Sequence, residues 1–281
     1  MLYFAYGSNL DAGDLARFGI ALAPIARAYL PDRRLAFTHD SSSRGGGVLD
    51  AVEATGCAVE GVLFRLEDRA ARLLDDKESR GHRYRRVASV ALTDDGAEHA
   101  AFFYEVAPAH REAFVPPAGA YLDVVRRGAH AHGLDGAPLE AAAAGDAHAG
   151  PVRHLFVYGT LMAGEERSHH LAALGMTDCV PARIAGSLLD LGAYPGLRVD
   201  GAGGTVEGEL YSIPDPRRLF EVLDPIETFR GFGAAGSLYR RAIVLARLGG
   251  GSAPAWSYVY AGPHDRGKII PSGSWRGRAV G

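Results

Sequence analysis

The sequence has little that would mark it as secreted, membrane-spanning or nucleic-acid-binding. It carries two cysteines, Cys57 and Cys179, too few for a disulfide framework. Neither lies in a C-x-x-C setting, so no zinc or dithiol motif is present. Its apolar runs are short and broken by Gly, Pro or charge, well below the roughly 20 residues that cross a bilayer. The start, Met1-Leu2-Tyr3-Phe4-Ala5, lacks the basic region of a signal peptide. These absences predict a soluble, cytoplasmic chain. There is also no basic excess: 30 Lys and Arg stand against 33 Asp and Glu, which argues against a nucleic-acid partner. The histidines, among them His130, His132, His169 and His170, form no metal-ligand spacing, and Gly45-Gly46-Gly47 lacks the strand, helix and acidic partner of a dinucleotide fingerprint. The Arg-rich stretches at 266–268 and 276–278 read as a solvated tail.

What is present is a globular composition, 47% hydrophobic over 281 residues, long enough for one large domain or two ordinary ones. An internal repeat decides between them. Leu2-Tyr3-Phe4-Ala5-Tyr6-Gly7-Ser8-Asn9-Leu10 matches Leu155-Phe156-Val157-Tyr158-Gly159-Thr160-Leu161, and Val59-Glu60-Gly61-Val62-Leu63-Phe64 matches Val206-Glu207-Gly208-Glu209-Leu210-Tyr211. Leu74-Asp75-Asp76-Lys77-Glu78 with Tyr84-Arg85-Arg86 matches Leu223-Asp224-Pro225-Ile226-Glu227 with Tyr239-Arg240-Arg241, and Ala101–Tyr104 matches Trp256–Tyr260. Four blocks in one order at nearly equal spacing indicate a duplicated domain. The expected division is 1–139, an Ala/Gly-rich linker over 140–152, and 153–281, with a short helix through Leu139–Ala144 as the alternative reading of the linker's start.

Short β-type runs outnumber helices and do not alternate with them as βαβ units. The expected class is α+β: two tandem small mixed or antiparallel β-barrel domains with flanking helices. Helical spacing is read over Asp14–Phe18, Leu66–Leu74, Glu165–Leu174 and Arg217–Leu223.

Tyr6-Gly7-Ser8-Asn9-Leu10 lies between a strand and a helix-like stretch, and Tyr158-Gly159-Thr160-Leu161 repeats the arrangement. Gly, Ser and Asn permit a tight turn whose N–H groups point outward, a setting that binds a carboxylate. An ordinary strand-to-helix turn is the plainer reading, but neutral turns need not retain Tyr-Gly-Ser/Thr twice. Glu78 and Glu227 each follow an apolar helical stretch and are placed in Gly-containing loops, Glu78-Ser79-Arg80-Gly81 and Glu227-Thr228-Phe229-Arg230-Gly231. A carboxyl in a partly dry loop serves as a general acid/base; a surface glutamate at a helix end is the commoner fate. Asp75 and Asp224 are rival carboxylates, read as structural. Tyr84 and Tyr239 open strands ahead of Arg pairs that are expected to be solvated. Tyr121, after Pro116-Pro117-Ala118-Gly119, is either packed or brings a hydroxyl to a pocket.

With these residues in view, the first half resembles the γ-glutamylcyclotransferases. The resemblance rests on Tyr3–Leu10, Gly46–Glu53, the Leu-Asp-x-x-Glu block ending at Glu78, Pro116–Leu122 and Gly128–Leu134, and covers about 1–139. The second half, about 153–276, resembles the γ-glutamylamine cyclotransferase branch through Tyr158–Leu161, Tyr194-Pro195-Gly196, Val206–Tyr211, Asp224–Glu227, Tyr239–Arg241 and Ile270–Trp275. It implies small β-barrels, no metal and no organic cofactor, and a γ-glutamyl amide closing on its own α-amine to give 5-oxoproline and a free amine. It implies catalytic roles for Glu78 and Glu227. Substrate-binding roles fall on Tyr6, Gly7, Ser8, Asn9, Leu10, Tyr84 and Tyr121 in the first half, and on Tyr158, Gly159, Thr160, Leu161, Tyr194 and Tyr239 in the second. Ser79 departs from the Gly that relatives commonly carry, and the longer Gly-rich stretch between Glu227 and Tyr239 points to a differently shaped second pocket. A γ-glutamyl-removing enzyme of a biosynthetic pathway, or a non-catalytic sensor of an acidic metabolite, are the alternatives.

Overall fold

A computed structural model of the chain describes all residues except 80–82, 148–149, 200, 202, 264–265, 277 and 279–281. It divides into two compact units, Met1–Ala91 with His99–Pro151, and Leu92–Glu98 with Val152–Gly281.

In the first unit, β1 (Leu2–Ala5) leads through a 3₁₀ turn at Ser8–Leu10 into a short helix α1 (Ala12–Ala16), capped by the Asp11 side chain accepting from Asp14 N–H at 2.7 Å. Two long strands follow, β2 (Ala23–Ser41) and β3 (Gly46–Arg65), then helix α2 (Asp68–Ser79), strands β4 (Tyr84–Leu92) and β5 (Glu98–Val106), and helices α3 (Gly119–Ala131) and α4 (Ala137–Ala143). The strands close a barrel in the order β1-β3-β2-β4-β5. β1 runs antiparallel to β3, with Tyr3 opposite Phe64, and parallel to β5, with Tyr3 opposite Phe102. Alternation along β1 sends Phe4 and Tyr6 to one buried cluster, with Leu30, Leu63 and Phe103, and Tyr3 and Ala5 to another, with Leu74 and Phe102. Both faces are covered, so the strand is apolar throughout.

The second unit repeats this plan. β6 (His154–Val157) is followed by α5 (His169–Ala173), β7 (Cys179–Ala185), β8 (Ser187–Asp190), β9 (Pro195–Arg198), β10 (Thr205–Ser212), α6 (Pro216–Ile226), β11 (Tyr239–Leu248), β12 (Gly251–Tyr260) and β13 (Lys268–Ile269). Its barrel order, β10-β6-β12-β11-β7, is that of the first unit element for element, and β13-β8-β9 form a separate small sheet. β6 is again antiparallel to one neighbour and parallel to the other. Gly61 and Gly208 hold matching places on β3 and β10. A side chain at either would collide with the facing backbone carbonyl, Ala5 or Val157, and with the ring of Phe4 or Phe156.

Several expectations shift. The Ala-rich stretch placed in the 140–152 linker begins as helix α4, with Leu139 and Ala142 buried, because the alanines favour helix and one face finds a core. The helix expected over Glu165–Leu174 shortens to α5, preceded by a run of turns that includes Gly164 at φ +79°. The basic stretch after Ile270 is anchored at Arg276, which reaches Glu209 at 2.9 Å, while Trp275 beside it is buried. No described helix is long and apolar enough to cross a membrane.

Candidate active site

Helical periodicity brings each glutamate to the interior. On α2, Ala71, Leu74 and Glu78 fall at i, i+3 and i+7 on one buried stripe. On α6, Phe220, Leu223 and Glu227 do the same, with Glu227 as the capping residue whose N–H still donates to the Leu223 carbonyl at 2.9 Å. This corrects the loop placement: Glu78 stands in the last turn of a helix and Glu227 at a helix end. Arg80 and Gly81 of the expected first loop lie outside the described residues. α6 is started by Asp215, which accepts from Arg218 N–H at 3.1 Å, with Pro216 in the first turn. It ends in a Schellman arrangement, with Phe229 N–H donating to the Asp224 carbonyl and Thr228 N–H to the Pro225 carbonyl. Thr228 occupies the left-handed position at φ +55°, where a β-branched residue is strained.

The repeated Tyr-Gly turn faces each glutamate. In the first unit, Tyr6, Gly7, Ser8, Asn9, Glu78, Tyr84 and Tyr121 line one small cavity. In the second, Tyr158, Gly159, Thr160, Leu161, Tyr194, Glu227 and Tyr239 line its counterpart. Leu10 is the exception. It is buried in the core, and its N–H closes the turn onto the Gly7 carbonyl at 2.9 Å. The N–H groups of Ser8 and Asn9, at the start of that turn, have no intrahelical acceptor by its geometry. A Cβ on Gly159 would strike the Pro195 ring, so close approach of the second turn to β9 requires glycine.

The tyrosines are pinned in parallel ways. Tyr6 donates to the Tyr104 carbonyl and Tyr158 to the Tyr258 carbonyl, both at 2.7 Å. Leu49 N–H donates to the Tyr121 hydroxyl and Leu197 N–H to the Tyr158 hydroxyl, both at 3.3 Å. Tyr239 donates to the Pro195 carbonyl. Burial pushes Tyr121 up to about 12 and pushes Tyr6, Tyr84, Tyr158 and Tyr239 further up, so all remain protonated donors at neutral pH.

Asp75 and Asp224 take the hydroxyls of Tyr104 and Tyr258, and each also meets the second Arg of the repeated pair, Arg86 at 3.6 Å and Arg241 at 3.2 Å. They fasten the helix end to the barrel. Arg241 corrects the solvated reading of those Arg pairs: it is 3% exposed, with its guanidinium against Phe220, Phe229 and Phe232.

The two glutamates differ in surroundings. Glu78 Oε1 accepts from Lys77 Nζ at 2.8 Å and from Asn9 Nδ2 at 3.0 Å. Among the described residues the Glu227 carboxyl has no hydrogen bond or ion pair, and burial pushes it up to about 7 against a smaller opposing pull from Arg167. Lys77, Arg167, Tyr3, Tyr104 and Tyr258 escaped the sequence reading as site residues. Tyr104 and Tyr258 had a signal, since each closes or lies within a repeated block; Arg167 had none. Among the described residues no group of three or more His, Cys, Asp or Glu side chains is placed to hold a metal ion.

Known proteins match along both units. The chain is 34% identical over 108 residues to the gamma-L-glutamyl-butirosin B gamma-glutamyl cyclotransferase of Niallia circulans, covering 38% of this chain and 66% of that protein, just under two thirds of its length. It is 37% identical over 131 residues to the gamma-glutamylcyclotransferase family protein YtfP of Escherichia coli (strain K12), covering 44% of this chain and 96% of that one. Among solved structures, one titled gamma-glutamyl cyclotransferase aligns at TM-score 0.45 and 26% identity over 52% of this chain and 85% of its own. YkqA from Bacillus subtilis aligns at TM-score 0.37 and 17% identity over 92% of this chain and 83% of its own. The model of the family described as gamma-glutamyl cyclotransferase, AIG2-like, matches residues 3–123 and again 155–277, so this chain belongs to that family twice over, once in each unit.

Proposed function

We propose that the chain is a two-site cyclotransferase that converts γ-glutamyl amides to 5-oxoproline and a free amine. The observation that carries this reading is the pairing, in both units, of a buried helix-end glutamate with a Tyr-Gly-Ser/Thr turn on one small cavity. The turn's outward N–H groups suit the glutamyl α-carboxylate, which needs no basic protein around it. The substrate is a small molecule.

The chemistry is intramolecular. The glutamate takes a proton from the α-ammonium, and the freed amine attacks the γ-carbonyl carbon. The tetrahedral oxyanion is stabilised by N–H donors of the turn. The bond from the γ-carbon to the leaving nitrogen then breaks as the glutamate returns its proton to that nitrogen, and the second proton of the ring nitrogen passes through the same carboxylate to the departing amine, which leaves as an ammonium. Atoms and protons balance without a cofactor. Because nucleophile and electrophile share one molecule, holding a folded conformer supplies much of the rate. The tyrosine hydroxyls, protonated and fixed, shape that conformer.

A second reading is favoured by the 34% identity to the butirosin enzyme: removal of a γ-glutamyl group from a larger amine in a biosynthetic pathway. It uses the same chemistry and differs only in the leaving group. Neither cysteine is in a disulfide, which suits a reducing cytoplasm.

The test is release of 5-oxoproline from a panel of γ-glutamyl amino acids and amines by the wild type, Glu78→Gln, Glu227→Gln and the double variant. Each substitution is expected to reduce its own site's turnover about 10²–10⁴-fold. Undiminished product from the double variant, or tight binding without product in the wild type, would reject the reading.

A further inference from the structure

The first site contains a closed ring of hydrogen bonds that the second lacks. Lys77 Nζ donates to Asn9 Oδ1 and to Glu78 Oε1, both at 2.8 Å. Asn9 Nδ2 donates to the same Glu78 Oε1 at 3.0 Å and to the Tyr3 hydroxyl at 2.7 Å. The ring ties the Ser8–Leu10 turn to the end of α2. It is enclosed: the side chains of Lys77 and Glu78 are 8% and 10% exposed, and the ammonium sits 5.4 Å from the centre of the Phe18 ring. A buried ammonium is tolerated only where acceptors satisfy it, and here two do.

The repeat aligns Lys77 with Ile226, Asn9 with Leu161 and Tyr3 with Leu155. Every member of the ring except the glutamate is therefore apolar in the second unit. A duplicated site that keeps its glutamate and changes all three neighbours has two different ways of holding that carboxyl.

We infer that Lys77, acting with Asn9, is the positioning residue of the first site, fixing Glu78 through Oε1 so that Oε2 is the oxygen presented to the substrate. This rests on Glu78 being the proton-transfer group proposed above. Both donors converge on Oε1, and among the described residues no donor is aimed at Oε2. A carboxylate tied at one oxygen cannot rotate that oxygen into the cavity, so the proton is taken and returned at a single place. In the second site, among the described residues, no hydrogen bond or ion pair holds the Glu227 carboxyl.

The experiment uses the full chain with Glu227→Gln, so that only the first site turns over. Lys77→Met, close in length and apolar, is compared with Lys77→Arg, which keeps donors, and thermal melting confirms that each is folded. The expected result is a fall of about 10–100-fold in kcat for Lys77→Met with KM within twofold. Lys77→Arg should recover most of that loss, and Asn9→Leu should reproduce the Lys77→Met effect. An unchanged kcat, or a raised KM at constant kcat, overturns the positioning role, the latter because Lys77 then binds substrate. Product from the wild type but none from Glu227→Gln also overturns it, since Glu78 would then transfer no proton. No product from the wild type overturns the proposed function itself and is read in a separate arm.

Discussion

Asn9 and Glu78, far apart in the chain, meet at 3.0 Å, amide nitrogen to carboxylate oxygen, and that contact joins the first turn of the barrel to the end of α2. Leu161 and Glu227 hold the matching places in the second unit, where the leucine offers no such donor. The contrast leads to separable predictions for the two halves.

Asn9→Leu removes both amide groups of the ring and leaves the Lys77 ammonium and Tyr3 hydroxyl each short of a partner. Orphaning buried polar groups costs about 1–3 kcal/mol apiece. Urea unfolding should show a loss of that order, and Leu161→Asn, set in apolar surroundings, should not stabilise the second unit in return.

The second site should be governed by Glu227. Its carboxyl must be ionised to take a proton, and burial pushes it up to about 7. In a Glu78→Gln chain, turnover should rise with pH through about 7 and level off above it. A rate–pH profile that is flat from pH 5.5 to 8.5 would contradict this.

The same shift acts on stability, with the opposite sign. Between the ordinary carboxylate value of 4.5 and about 7, the folded state binds the Glu227 proton more than the unfolded state does. The stabilisation is therefore complete below about 4.5 and is lost as pH rises through about 7. Glu227→Gln has no such proton to lose. Its melting temperature relative to the wild type should thus increase from pH 5 to pH 8, by a stability difference of the order of 3 kcal/mol.

Thr228 carries the left-handed turn that ends α6 directly after Glu227. Glycine adopts that conformation freely, so Thr228→Gly should relieve about 1 kcal/mol of strain, offset in part by the larger entropy of the unfolded chain. Denaturant midpoints would read the net gain, and a clear loss would mean that the threonine side chain contributes contacts exceeding its strain.

Gly61 and Gly208 should tolerate no side chain. Alanine at either collides with a paired carbonyl and an aromatic ring of β1 or β6, so Gly61→Ala and Gly208→Ala should each destabilise their own barrel by several kcal/mol. Soluble yield and circular dichroism melts of the full chain check this, and native-like melts for both would show that the strands can part.

The sequence alone carried the duplication, the α+β class and the two glutamates with their Tyr-Gly turns, but β2 and β7, one strand of each barrel, were not legible in it. Those signals are local: strand alternation, helix spacing and repeated blocks are written in neighbouring residues. Tertiary structure decided the rest. Glu78 and Glu227 read as loop residues beside glycines, yet an i, i+3, i+7 stripe continues through them and turns both inward. Leu10 reads as part of the turn, but its side chain points to the core once β1 has set the direction. Arg241 reads as solvated until three phenylalanines close around it. Lys77 carries no signal at all, because its meaning depends on Asn9, and the two meet only when β1 enters the barrel and α2 packs across it. Spacing along the chain encodes which face a residue takes; barrel closure alone encodes which distant residue it finds there.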